Sequence, residues 1–113
     1  IVCAVIDGGF HLTHADVNFW KNWGEIPGNS IDDDSNGYVD DVNGWNALNN
    51  TPNITTGGTH GTHVSGTIGA RGNNNLGVTG VSWNMRVMAI QGASGTESVV
   101  HRAYIYAQRQ RQL

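Results

Sequence analysis

A single cysteine in 113 residues rules out an intrachain disulfide, and Cys3, set in an apolar run, reads as a small buried hydrophobe. Charge is scarce too. Only 13% of residues are Asp, Glu, Lys or Arg, and six basic against nine acidic groups leave a formal net charge of −3. With no basic excess to neutralise phosphates, no nucleic-acid partner is expected. No apolar run approaches the roughly 18 residues of a membrane span, and no charged-then-apolar leader is present. The chain opens on Ile1 inside an apolar segment, without an initiator methionine, which predicts that it was cut at its front. What remains suits one globular unit over residues 1–113, with no internal repeats.

The sparse charge is concentrated. Five of the nine carboxylates fall between Asp32 and Asp41, so the acidity marks a local site rather than a global field. Asp32, Asp34 and Asn36 place oxygen side chains at alternate positions, and Gly37 supplies a sharp turn. Tyr38 is placed to offer its carbonyl and Asp40 stands ninth. These are positions one, three, five, six, seven and nine of a calcium loop. Oxygen ligands packed this densely repel one another without a cation. The glutamate expected at position twelve is replaced by Asn43, with Asp41 as the substitute, so this is not a true helix-loop-helix hand.

A second stretch, His60 to Ala70, reads as a helix of unusually little bulk. Gly61, Ser65 and Gly69 are small at i, i+4 and i+8, and Val64 and Ile68 form an apolar pair. Three glycines cost roughly 1 kcal/mol each relative to alanine, so close packing against a neighbouring backbone has to offset the loss. His60 stands at the start of this helix, where its side chain projects toward a cleft as a candidate acid or base.

Ile1 to Ile6 is a β-branched run closed by Asp7-Gly8-Gly9, the pattern of a parallel strand buried on both faces, with Asp7 at its carboxyl end. In open α/β sheets, chemistry gathers at that edge. Met85 to Ile90 is the next strand. Ser94-Gly95-Thr96-Glu97 resembles a capping box opening a helix to about Arg109, with Val99, Ala103 and Tyr106 or Ala107 on one face. Strand, helix, strand, helix implies an α/β fold with a parallel crossover.

Taken in order, these motifs resemble the subtilisin-like serine proteases, or subtilases. Val5-Ile6-Asp7-Gly8-Gly9 is similar to the segment around their catalytic aspartate, His14-Ala15-Asp16-Val17 to the His-Pro-Asp-Leu turn that follows, and His60 to Gly66 to their histidine motif. Asp32 to Trp45 resembles an acidic calcium-loop insertion of some secreted bacterial members, here spanning residues 28–45. The resemblance implies a partial three-layer fold with a parallel sheet, an incomplete domain holding the aspartate and histidine half. By that likeness Asp7 fixes the tautomer of His60, which serves a serine nucleophile. That serine would sit in a Gly-Thr-Ser-Met-Ala segment, and the six serines here, at positions 30, 35, 65, 82, 94 and 98, all lie in other contexts. The nucleophile and the oxyanion-hole asparagine are expected in the missing C-terminal half of the domain, a partner without which the chain is inactive and its sheet edges are open.

The likeness also implies substrate-strand positions at Ala93, Ser94 and Gly95, and a further calcium site from Asp16, Asn74, Leu76 and Val78. The sequence departs from the family at Gly8, where a hydroxyl residue is usual, at Ala15, where proline is usual, and in a shorter segment after Ile90. The first reading is therefore a fragment of a secreted endopeptidase, extracellular or periplasmic, acting on peptide or protein substrates. Two others stand beside it. One is a non-catalytic calcium-binding pseudoprotease or binding module. The other is a zinc hydrolase drawing on His11/His14 and His60/His63, a reading weakened by the absence of an H-E-x-x-H signature or matched third ligand.

Overall fold

The computed structural model describes residues 1–55, 59–75, 77, 79–92 and 96–111. Among them three strands and two helices follow one another: β1 (Val2–Asp7), β2 (Gly44–Asn46), α1 (His60–Gly69), β3 (Arg86–Gln91) and α2 (Glu97–Arg111). The sheet is wholly parallel in the order β1-β3-β2. The fold is α/β, consistent with part of a subtilisin fold.

β3 is central because its sequence can be buried on both sides. Val87 and Ala89 point into one core with Val5, Phe10, Val17 and Ile54, onto which Val64 and Ile68 of α1 pack. Met88 and Ile90 point into the other with Trp45, Ala47, Val99, Ala103 and Tyr106. The period-2 alternation of a strand thus puts α1 and α2 on opposite faces and makes three layers. The small face of α1 is buried at Gly61, Ser65, Gly66 and Gly69. In α2, Val99, Ala103 and Tyr106 form the buried stripe read from the sequence, and the helix continues to Arg111.

Two expectations change. β1 is not covered on both faces: Val2 is 36% exposed and Ala4 is exposed as well, because α2 packs on β2 and β3 and leaves that face of the edge strand β1 open. β2 is too short, and too interrupted by Gly44 and Asn46, to show in a periodicity reading. Its glycine is required. Gly44 has φ +123°, and a Cβ there would collide with the Ala89 carbonyl oxygen. The Phe10–Trp23 segment, which carries no periodic signal, forms only single bridges, Val17 with Ala70 and Phe19 with Val87. No helix among the described residues is long and apolar enough to cross a membrane.

Candidate active site

All three strands end in a polar side chain at one level. Register pairs Asp7 with Gln91 and Gln91 with Asn46, so the carboxyl edge of the sheet presents Asp7, Gln91 and Asn46 side by side. α1 begins against this edge. A Cβ on Gly61 would collide with the Gly9 carbonyl oxygen and lie 3.1 Å from both the Asp7 Cβ and a Phe10 ring carbon. The bare glycine lets the first turn of α1 touch the turn after β1, and His11 N–H secures it by donating to Thr62 Oγ1 at 2.9 Å. The low bulk of α1 is thus explained by a particular contact.

That contact brings the two sequence-predicted residues together. His60 Nδ1 lies 2.8 Å from Asp7 Oδ2, although 53 positions separate them in the chain. A carboxylate only accepts, so the shared hydrogen sits on Nδ1 and Nε2 is left as the acceptor nitrogen. Asp7 Oδ1 takes the Gly8 N–H at 2.6 Å. The Asp7 side chain is 13% exposed and that of His60 81%, so the carboxylate is sheltered and the imidazole faces outward. Such a pair can take up a proton at Nε2 while the carboxylate stabilises the imidazolium.

The acidic stretch lies on the other side of the molecule from α1, against α2. Asp32 accepts from the Asn36 and Gly37 N–H groups, at 3.1 and 2.8 Å, and Asp34 from Asn22 Nδ2 at 2.8 Å. Glu25, which sequence reasoning missed, joins them: its carboxylate takes the N–H groups of Asp34 and Asp40, and ligand atoms of Glu25, Asp32 and Asp34 fall within 4.8 Å of one another. It stands seven residues before the loop motif, so no spacing rule reaches it. Burial pushes the Glu25 carboxyl above its ordinary range. Burial also acts upward on Asp34, but bonds from Asn22, Glu25 and the Asn36 N–H outweigh it and hold that carboxyl down. The donor set is all oxygen, as a hard divalent cation requires. A buried oxygen of Asp40, Oδ1, has no hydrogen-bond partner, while its Oδ2 takes the Ser30 N–H. The buried acidic cluster can therefore hold a metal ion.

Asn36 and Asp41 turn inward. Asn36 Nδ2 donates to Asp41 Oδ2 at 2.9 Å and its Oδ1 takes the Tyr38 N–H. Asp41 is fully buried and accepts from Asn22, Asn36, Tyr106 and Gln110. Burial raises the Asp41 carboxyl, and burial together with the Asp41 charge raises the Tyr106 phenol. Arg109 donates to the Asn36 carbonyl at 3.0 Å, and Arg102 reaches the Ala47 carbonyl with two nitrogens, at 3.1 and 2.8 Å. Tyr38, Trp45 and Tyr106 pack their rings together in the same layer.

Of the further predicted cation set, Asp16 and Asn74 meet, with Asn74 Nδ2 donating to Asp16 Oδ1 at 2.7 Å and Asp16 only 3% exposed. Leu76 and Val78, and the substrate-strand positions Ala93, Ser94 and Gly95, lie outside the described residues.

A sheltered carboxylate and an outward imidazole, set between a parallel strand and a glycine-faced helix, form a pair able to move a proton at the carboxyl edge of an α/β sheet. The family follows: a model of the subtilase family, peptidase S8, matches residues 1–112, and the chain belongs to that family. It is 47% identical over 87 residues to subtilisin-like protease 1 of Plasmodium falciparum (isolate 3D7), covering 74% of this chain and 13% of that protein. It is 37% identical over 98 residues to the alkaline protease of Alkalihalobacillus alcalophilus, covering 85% of this chain and 20% of that protein. Subtilisin Savinase of Lederbergia lenta is 36% identical over 98 residues, covering 85% of this chain and 28% of that protein. The chain thus spans well under a third of the length of the curated relatives it matches.

Proposed function

We propose that this chain supplies the aspartate and histidine of a Ser-His-Asp triad in a secreted serine endopeptidase. The observation that carries the reading is the 2.8 Å bond between His60 Nδ1 and Asp7 Oδ2. In it Asp7 holds the tautomer and His60 Nε2 withdraws the proton of a serine hydroxyl as that oxygen attacks a peptide carbonyl. The same nitrogen then returns the proton to the leaving amine. Among the described residues no serine is recorded bonding His60, and Ser65 is committed to the Gly61 carbonyl. By itself the 113-residue chain is therefore proposed to be inactive, with a serine elsewhere in its protein as nucleophile. The test is covalent: a fluorophosphonate probe should label one serine of the intact protein, and His60→Ala should abolish labelling. Labelling of neither protein defeats the reading, and undiminished labelling of the variant removes His60 from it.

The residue 28–45 segment is proposed to bind Ca²⁺ through Asp32 and Asp34 together with Glu25 from just before it, with Asn36, Tyr38, Asp40 and Asp41 as the wider loop, and Asp16 and Asn74 as part of a further site. Support comes from the all-oxygen cluster and the partnerless Asp40 oxygen. A loose loop of this kind suits a calcium-rich exterior, which agrees with an extracellular or periplasmic setting. Calorimetry with calcium and with chelator tests it, and coincident transitions would remove the proposal.

A further inference from the structure

The 2.8 Å bond joins two segments that must each be held to fractions of an ångström, and Asn46 stands behind both. It is 2% exposed, and all four hydrogen-bonding positions of its side-chain amide are filled. Nδ2 donates to the Asn53 carbonyl at 2.9 Å and to Gln91 Oε1 at 3.2 Å. Oδ1 accepts from the N–H groups of Leu48 and Asn49, at 3.0 and 3.1 Å. Its main chain exchanges both bonds with Thr51. The segment 46–53 is thereby closed on itself and fastened to the end of β3, whose Gln91 is also the register partner of Asp7.

One residue further, the Ile54 carbonyl accepts the Phe10 N–H at 3.0 Å, which pins the turn that follows Asp7. That turn also meets the start of α1, with Gly61 against the Gly9 carbonyl and the His11 N–H on Thr62 Oγ1. Asn46 is therefore linked to the turn that follows the carboxylate and, through that turn, to the start of the helix carrying the imidazole. We propose that Asn46 is a positioning residue for the Asp7–His60 pair, acting through Gln91, Asn53 and the Ile54–Phe10 bond. This rests on the reading of that pair as part of a triad. An amide is the side chain the place demands. A hydroxyl or a carboxylate could accept from Leu48 and Asn49, but a carboxylate would also face the oxygens of Asn53 and Gln91 with no hydrogen to offer.

Asn46→Asp keeps the two acceptor bonds and removes the two donor bonds, while Asn46→Ala removes all four. In the intact protease, with active sites counted by a serine-directed titrant, kcat per titrated site should fall about 10- to 100-fold in Asn46→Asp, the loss that misplacement by about 1 Å brings, with KM unchanged. The downfield proton resonance of the His60 Nδ1–H in the unliganded protein should shift or disappear in the same variant. Two results overturn the proposal: an unchanged kcat per site with an unchanged resonance, or loss of folded material alone in both variants, which would make Asn46 a stability residue. If the unaltered protein cleaves no peptide, the protease reading fails, and the resonance still decides whether Asn46 positions the pair.

Discussion

Asp7 and Asp41 are both sheltered carboxylates beside the sheet, and they are held in opposite ways. Among the described residues Asp7 has one side-chain partner, the outward imidazole of His60. Asp41 is walled in by Asn22, Asn36, Tyr106 and Gln110, all of them neutral donors. A carboxylate bonded to an accessible imidazole is placed for proton transfer. A carboxylate saturated by neutral donors is fixed in place, and burial raises rather than lowers its affinity for a proton. The difference separates a reactive acid from an architectural one without appeal to sequence position.

The sharpest break in that contrast is at the reactive end. His60→Ala in the intact protein should cost about 10⁶-fold in kcat, subtilisin's own magnitude, and Asp7→Asn about 10⁴-fold, the magnitude for that change in a chymotrypsin-type triad; neither is derived from this geometry. Asp41→Asn should leave kcat per folded molecule unchanged. Steady-state kinetics on the three variants decides, and equal losses in all would erase the distinction.

Next in size is Gly61→Ala. The added methyl meets the Gly9 carbonyl and the Asp7 Cβ, so the start of α1 must back away. Destabilisation of about 1–3 kcal/mol by overpacking is expected, with kcat reduced about 100-fold by the displaced imidazole. Denaturant unfolding beside kinetics measures both, and a variant with unaltered kcat would show that the close approach does not set the pair.

At the architectural end, removing calcium should lower stability by about 2.7 kcal/mol relative to a hundredfold excess over Kd. Glu25→Gln should abolish most of that difference, since its carboxylate holds the Asp34 and Asp40 N–H groups as well as facing the cluster. Thermal melts of both proteins with and without chelator give the answer, and a calcium response undiminished in the variant would free Glu25 from the site.

Smallest is Tyr106→Phe, which removes the 2.8 Å bond to Asp41 and should cost about 2 kcal/mol at neutral pH. It carries a pH signature. The folded state keeps the phenol protonated above its ordinary value of 10.0, so above about pH 10 the unfolded chain binds fewer protons than the native one. Stability present below pH 10 is then lost as pH rises, by up to about 1.4 kcal/mol per unit. The variant should show a shallower alkaline slope in denaturant midpoints taken across that range.

The sequence made the reactive end legible to a degree it did not make the other. Asp7 closing a β-branched run and His60 opening a glycine-faced helix each obey a local rule, and the parallel sheet brings the two rules to one edge. The central strand and the buried stripe of α2 were readable from periodicity for the same reason. β2 was hidden because three residues carry no period, and its place depends on a non-local approach to Ala89 that only a glycine permits. The place of Glu25 beside Asp32 and Asp34 and the inward turn of Asn36 and Asp41 were hidden because spacing cannot say which carboxylates cluster together and which meets a tyrosine 65 residues away. Exposure along β1 followed from where α2 lies over the sheet, which alternation along one strand does not encode.

Helix α2 grips the chain between Asn36 and Ala47 at three heights: Arg102 on the Ala47 carbonyl, Tyr106 and Gln110 on Asp41, and Arg109 on the Asn36 carbonyl. These residues recur every three or four positions, so one stripe of the helix clasps a stretch of chain whose regular structure is the short strand β2 alone. The segment cannot peel away while that stripe stays wound. Its resistance to nicking by an added protease is then a clock for the melting of α2, running at the pace of the helix rather than of the loop.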